Sequence, residues 1–204
     1  MRHIKIFGVA ILALSLVSFP GCASKRVKRL NPEEVVDLSG RWNDSDSQLV
    51  AKEMIQDALF RPWSQTFMEI HKRLPVVVVG PVTNRSHEHI NAAVFIKDLE
   101  RNLLNSGKIK FVAAKGEERD AVRDERSSQQ EGYTDPATIK VFGKETGADF
   151  IVLGSINSVK DEVSGRYVIL YQVNLELVDI ETNQKVWIGQ KNIKKSVKRS
   201  KYSL

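Results

Sequence analysis

In the stretch YVILYQVNLEL, residues 167–177, the side chains of Tyr167, Ile169, Tyr171, Val173, Leu175 and Leu177 recur at every second position. Successive side chains of an extended chain point to opposite faces, so this alternation makes a strand with one apolar and one polar face. Turn residues bracket it, Ser164-Gly165 before and Glu181-Thr182-Asn183-Gln184 after. FIVLGSINSV (150–159) precedes the first turn, and Lys185 to Ile193 follows the second. Three strands joined by tight links form an antiparallel meander.

Upstream, LPVVVVGPV (74–82) carries four valines in a row. The lack of alternation predicts a strand buried on both faces, with Pro81 closing its regular pairing. Thr83 to His89 then reads as a polar loop. Ala93 to Asn105 is a helix with Phe95, Leu99 and Leu103 on its apolar face, stopped at Gly107, and Lys108 to Ala113 is a further strand. KGEERDAVRDERSSQQEG (115–132) has too few apolar residues for a core element and reads as an exposed helix. Thr134-Asp135-Pro136 is expected to cap another helix ending at Gly147. Before the first strand, NDSDS (43–47) offers N-cap residues ahead of Leu49, Val50, Ile55, Ala58 and Leu59. A short helix starting near Pro62 would present Trp63, Phe67, Ile70 and Leu74 as one face. The expected fold is α+β: a mixed, mainly antiparallel sheet with a C-terminal three-stranded meander, packed against several helices.

The chain has one cysteine, Cys22, so no internal disulfide exists. Arg2 and Lys5 precede an uncharged run from Ile6 to Phe19, which has the length of a signal-peptide core and falls short of a membrane span. Phe19-Pro20-Gly21-Cys22 ends that run like a bacterial lipobox. Cleavage there would make Cys22 the first residue and a lipid attachment point. Gly21-Cys22-Ala23 also fits ordinary signal cleavage. The expected organisation is a signal peptide over 1–21, a tether over 22–39, a domain over 40–195 and a basic tail over 196–204. Ala23 is not the aspartate associated with inner-membrane retention, which favours a lipid-anchored, periplasm-facing place at the outer membrane.

The formal charge is +6, unevenly spread: seven basic residues and no acid lie between Lys185 and Leu204. Outside the cytoplasm such a tail does not call for nucleic acid, and none is expected as a partner. No GxSxG, HExxH or phosphate-cradling glycine loop is present. His87 and His89 flank Glu88 but lack a third and fourth ligand in sequence, so no metal and no cofactor is expected. No catalytic residue is assigned, and the protein is expected not to be an enzyme.

Thr83, Asn84, Arg85 and Ser86 are the candidate partner-binding residues. They leave a buried strand, and an arginine there offers a planar fork of donors of the kind enriched in binding hot spots. The structural alternative is that Asn84 and Ser86 satisfy the turn while Arg85 pairs with Glu88 or another nearby acid.

Asp46, Ser47, Leu49, Val50, Ala51 and Met54, then PVVVVGPVTNRS (75–86), FIKDLERNLLNSGKIKFV (95–112), GADFIVLGSINS (147–158) and YQVNLELVDIETNQKVWIGQKNIKK (171–195), resemble the LpoB family in this order. The resemblance covers about residues 40–195. It implies a fold like the TolB amino-terminal domain, and an outer-membrane lipoprotein that binds and activates a class A penicillin-binding protein, a bifunctional peptidoglycan synthase. It places Arg85 on the synthase-binding face, within a V-x-N-R-[ST] motif. A monomer is expected. The same fold also resembles curli-secretion lipoproteins, so an envelope assembly or secretion accessory is the alternative. Ala23 to about Asp44 is roughly 22 residues, which reach at most ~75 Å fully extended.

Overall fold

The computed structural model describes residues 27–32 and 34–198; Cys22, the signal-like run and the last six residues lie outside that range. The chain divides into a unit ending at Glu34 and a unit beginning at Val35. In the first, Glu34 N donates to Asn31 O at 2.9 Å, closing a turn.

α1 (Asp44–Phe60) starts where the side chain of Asn43 accepts from Asp46 N and Asp46 accepts in return from Asn43 N, a reciprocal cap that satisfies both free donors. Val50, Ala51, Met54, Ile55 and Ala58 form its buried face. Trp63 Nε1 donates to Ala58 O at the helix end. α2 (Trp63–His71) buries Trp63 and Phe67 and ends at Lys72, whose φ of 55° is left-handed. Ile70, expected on its apolar face, is instead exposed, and Leu74 lies beyond the helix. With nine residues, α2 has room for two core contacts, both edge-on to Phe150.

β1 (Val76–Arg85) is buried on both faces through Val79. It does not stop at Pro81. Its parallel pairing with β3 (Phe150–Val163) runs Val79↔Val152 and then Val82↔Gly154, so β1 accommodates one extra residue at Gly80-Pro81 and pairs on to Arg85. Thr83, Asn84 and Arg85 are therefore strand residues, and the polar loop begins at Ser86. Gly154 makes this register possible: a Cβ there would stand 2.5 Å from Leu175 and 3.4 Å from Val82.

α3 (Ala92–Asn105) buries Phe95, Leu99 and Leu103 as expected and is followed by Gly107 with φ 65°. The next strand is shorter than expected. Only Lys110–Phe111 (β2) pairs, parallel to β1. α4 (Glu117–Ser128) buries no residue, in keeping with its charge. The helix expected from Pro136 to Gly147 does not form. Asp135 accepts from Ala137 N and Thr138 N, closing a single turn, and Gln129 Oε1 takes Lys140 N. Tyr133, Val141 and Phe142 stay exposed. A short helix needs a packed face, and this segment has none.

β3, β4 (Arg166–Asp179) and β5 (Lys185–Lys198) form the expected antiparallel meander. Ser164 and Gly165, both with positive φ, make the first turn. β5 extends to Lys198, beyond Ile193, because it stays paired with β4 as far as Arg166. The sheet order is β2-β1-β3-β4-β5, a mixed α+β arrangement. The alternating residues of β4 are its core side: Ile169, Tyr171, Val173, Leu175 and Leu177 are buried and pack with the buried faces of α1, α2 and α3.

Candidate functional site: the open face of the sheet

One face of the sheet packs on the helices. The extra residue in β1 determines which β1 side chains reach the other. Val77 and Val79 face the core; after Gly80-Pro81 the core positions become Val82 and Asn84. Thr83 and Arg85 are thereby turned away from the core, and both are exposed. An uninterrupted strand would have pointed the Arg85 guanidinium into the apolar interior, at a high desolvation cost.

Cross-strand partners share a face. Thr83 pairs with Ser155, Ser155 with Asn174, and Asn174 with Gln190. Arg85 pairs with Asn157, Asn157 with Gln172, and Gln172 with Asn192. Two polar rows thus cross four strands, mostly amides and hydroxyls, with Arg85 their single charge. Arg85, Leu153, Gly154, Ser155, Asn174 and Glu176 line a shallow hollow of about 210 Å³.

The four candidate residues separate into two pairs. Asn84 and Ser86 satisfy the chain itself. Asn84 Nδ2 donates to Glu88 O at 2.8 Å, and Asn84 Oδ1 accepts from Ser86 N at 2.9 Å and from Ser86 Oγ at 2.7 Å. Ser86 Oγ accepts from Glu88 N. This is the local turn chemistry of Asn and Ser. Thr83 and Arg85 face outward. Among the described residues Arg85 has no ion pair and no side-chain hydrogen bond. Glu88 is engaged elsewhere: it accepts from Trp42 N at 3.2 Å and lies 3.7 Å from His87 Nε2. Glu176 is held by Lys185 at 2.8 Å. The alternative in which Arg85 pairs with Glu88 is not what the structure contains.

Behind this face, a polar cluster pins the segment entering α1. Lys195 Nζ contacts Asp46 at 2.6 Å, with both side chains 9% exposed, and Asp37 at 2.5 Å. Burial pulls the Lys195 pKa down, but the two carboxylates outweigh it and the net shift is upward. Tyr167 Oη donates to Ser39 O at 3.1 Å. Residues 37–43 are thus fastened across the β4–β5 end of the core.

The sequence reading did not single out Ser155, Asn157, Gln172, Asn174, Gln190 and Asn192. The signal was in the other half of the period-two pattern, where two neighbouring polar positions, Gln172 and Asn174, are both amides. Tyr167 and Tyr171 lie on the core side of β4. Among the described residues no group of three or more His, Cys, Asp or Glu is placed to hold a metal ion, and no helix is long and apolar enough to cross a membrane.

No curated protein sequence matches this chain. Solved structures do. The LpoB C-terminal domain from Escherichia coli matches at 19% identity over 58% of this chain and 82% of that one, with a TM-score of 0.36. Escherichia coli LpoB in solution matches at 16% identity over 89% and 85%, with a TM-score of 0.42. Lipoprotein GNA1162 from Neisseria meningitidis matches at 20% identity over 62% and 86%, with a TM-score of 0.38. The family model for the peptidoglycan-synthase activator LpoB matches residues 46–193, from the capping aspartate of α1 to the middle of β5. The chain belongs to the LpoB family.

Proposed function

We propose that this protein is a non-catalytic lipoprotein that binds a class A penicillin-binding protein through the open sheet face around Arg85 and raises its synthetic activity. Family membership supports the partner class. The observation that carries the location is the exposed Arg85, without a side-chain partner among the described residues, on the sheet face opposite α1, α2 and α3. An arginine held by a strand keeps its backbone order on binding, and its planar fork suits a carboxylate or an aromatic ring on the synthase. Asn157, Asn174 and Asn192 and the Thr83 and Ser155 hydroxyls around it are short and supply hydrogen bonds with less side-chain entropy to lose than lysines would.

In this reading residues 1–21 are a cleaved signal, Cys22 carries the lipid, and residues 22–39 tether the domain at the periplasmic side of the outer membrane. Activation is a coupling free energy between two proteins. The chain needs no reactive group of its own, only a surface that prefers the active synthase conformation. The test adds purified chain to a purified class A penicillin-binding protein and measures glycan polymerisation and crosslinking separately. A rise in either rate, saturable with the added chain, is expected. Unchanged rates at saturating concentration contradict the reading.

A further inference from the structure

We propose that the free edge of β5 is a docking strand for an extended acidic segment of a partner protein. β5 ends the sheet, and it is 14 residues long. One side is hydrogen-bonded to β4 along its length. On the other side its backbone has no partner among the described residues. Such an edge is a template for another strand, and proteins usually shorten or block it. The opposite edge of this sheet is shortened in that way, to the two residues of β2. β5 contains no proline, and its one irregularity of register lies near its start, at Leu177/Val178 of the partner strand; its lysines, the usual deterrent to neutral or basic strands, leave an acidic strand as the one it admits.

The side chains along this edge select what can bind. From Lys185 to Lys198 there is no acidic residue. Three of the lysines are already answered: Lys185 by Glu176, Lys191 by Glu53, and Lys195 by Asp37 and Asp46. Lys194 and Lys198 are exposed and have no ion pair among the described residues. Their partners in β4 are Leu170 and Arg166, so no acid faces them across the ladder. Ile188 lies on the same face and is 62% exposed.

A second copy pairing antiparallel would bring one lysine-bearing, acid-free edge against another, leaving Lys194 and Lys198 unanswered in every register. A lipid or nucleic-acid surface would meet the charges but could not use the backbone groups. An acidic strand uses both, main chain for affinity and alternate side chains for selection. Antiparallel addition is the more stable geometry. It requires acids facing Lys198 and Lys194, four residues apart, and an aliphatic residue six further on facing Ile188. The edge lies on β5, across β3 and β4 from Arg85, and its use does not depend on the synthase reading.

The test follows backbone amide signals of the full chain in nonionic detergent while adding the end-blocked peptide Glu-Thr-Thr-Thr-Glu-Thr-Asn-Thr-Gln-Thr-Val. Shifts and slowed exchange at alternate amides of β5 are expected. Replacing both peptide glutamates with lysine, or using Lys194→Glu with Lys198→Glu, should weaken binding about tenfold or more. The peptide-side exchange keeps the test valid if the double variant folds poorly. A version with prolines in place of alternate threonines keeps the charges but cannot form the ladder, and should not protect β5. Equal binding of the proline peptide, shifts located away from β5, no binding of the matching peptide, or self-association of the chain through β5 would each overturn the proposal.

Discussion

Arg85 is the cross-strand partner of Asn157, and their row continues through Gln172 to Asn192. One guanidinium therefore stands at the end of a row of three amides, on the face opposite α1, α2 and α3. Such a row is polar enough to stay in water and carries no competing carboxylate to occupy the arginine. At this chain length the arrangement depends on the extra residue at Gly80-Pro81. Deleting one of these two residues removes the extra residue, so plain alternation from Val79 keeps Val82 and Asn84 inward and Arg85 outward. The deletion variant should therefore fold, and adding Arg85→Ala to it should leave the melting temperature unchanged. A clear rise on adding Arg85→Ala would show an inward-turned guanidinium and contradict the register.

A second prediction concerns acid stability. Asp149 accepts two hydrogen bonds from Arg73, at 2.6 and 2.7 Å, and a third from Val76 N at 2.8 Å. The Arg73 contact, opposed by burial and helped by Val76 N, holds its carboxyl below the usual value of 3.8. A lowered folded pKa contributes stability that is fully present above the unfolded value and is lost as the pH falls through the folded one. Arg73 is about half exposed, so solvent screening keeps the contribution small. Asp149→Asn should be less stable than wild type in urea near neutral pH, and the gap should shrink as the pH falls below 3.8 and through the lowered folded value. A gap of equal size at neutral and low pH contradicts the assignment.

Tyr171 is fully buried, and its hydroxyl has no hydrogen-bond partner among the described residues. Burial first, then the Glu88 carboxylate, pushes its pKa up. The ring packs edge-on to Trp42 at 5.6 Å, a contact that Phe would keep. An unsatisfied buried hydroxyl costs roughly 1–3 kcal/mol. Tyr171→Phe should therefore leave stability unchanged or raise it by up to about 1 kcal/mol. A loss of similar size, measured by denaturant unfolding, would assign the hydroxyl a stabilising partner.

α4 should exchange its amides quickly. None of its residues is buried, and Val122 is 54% exposed. An apolar hollow of about 570 Å³ between α4 and the Val78 side of β1 shows how little it packs. It is held mainly by charge: Arg123 and then Arg126 draw the Glu145 pKa down to about 2, and Lys97 contacts Glu118. Exposed pairs of this kind stabilise little. Fast hydrogen exchange across 117–128 is expected while α3 stays protected. Protection at Val122 equal to that at Leu99 contradicts it.

How far the sequence was legible depended on whether the information was local. The period-two run of β4, the four valines of β1 and the Phe95, Leu99, Leu103 spacing of α3 each name their own burial, and the structure agrees. The missing helix after Asp135 shows the limit. Its cap residues are present, but a helix also needs a packed face, and nothing in residues 136–147 states that none is available. Arg85 was legible as a candidate, but not its direction. That depends on the extra residue in β1, visible only as pairing with β3. The amide rows were harder still, because each draws one residue from each of four strands and no single segment displays them.

Cys22 lies outside the described residues, and its lipidation rests on the sequence around it. Metabolic labelling with a clickable fatty acid should mark the wild-type chain and leave Cys22→Ser unlabelled. Equal labelling of the two would place any lipid elsewhere and remove the anchor from this site.

The binding role of Arg85 is tested most directly by the affinity of Arg85→Ala for a purified class A penicillin-binding protein, measured beside wild type. The Arg85 side chain makes no hydrogen bond or ion pair among the described residues, so its truncation should leave the melting temperature unchanged. If the open face is the docking surface, affinity should fall by roughly 2 kcal/mol or more, about thirtyfold, as truncation of a central hot-spot residue does. Equal affinity of the mutant and wild-type chains, with both folded, would remove Arg85 from the interface and with it the placement of the synthase on this face.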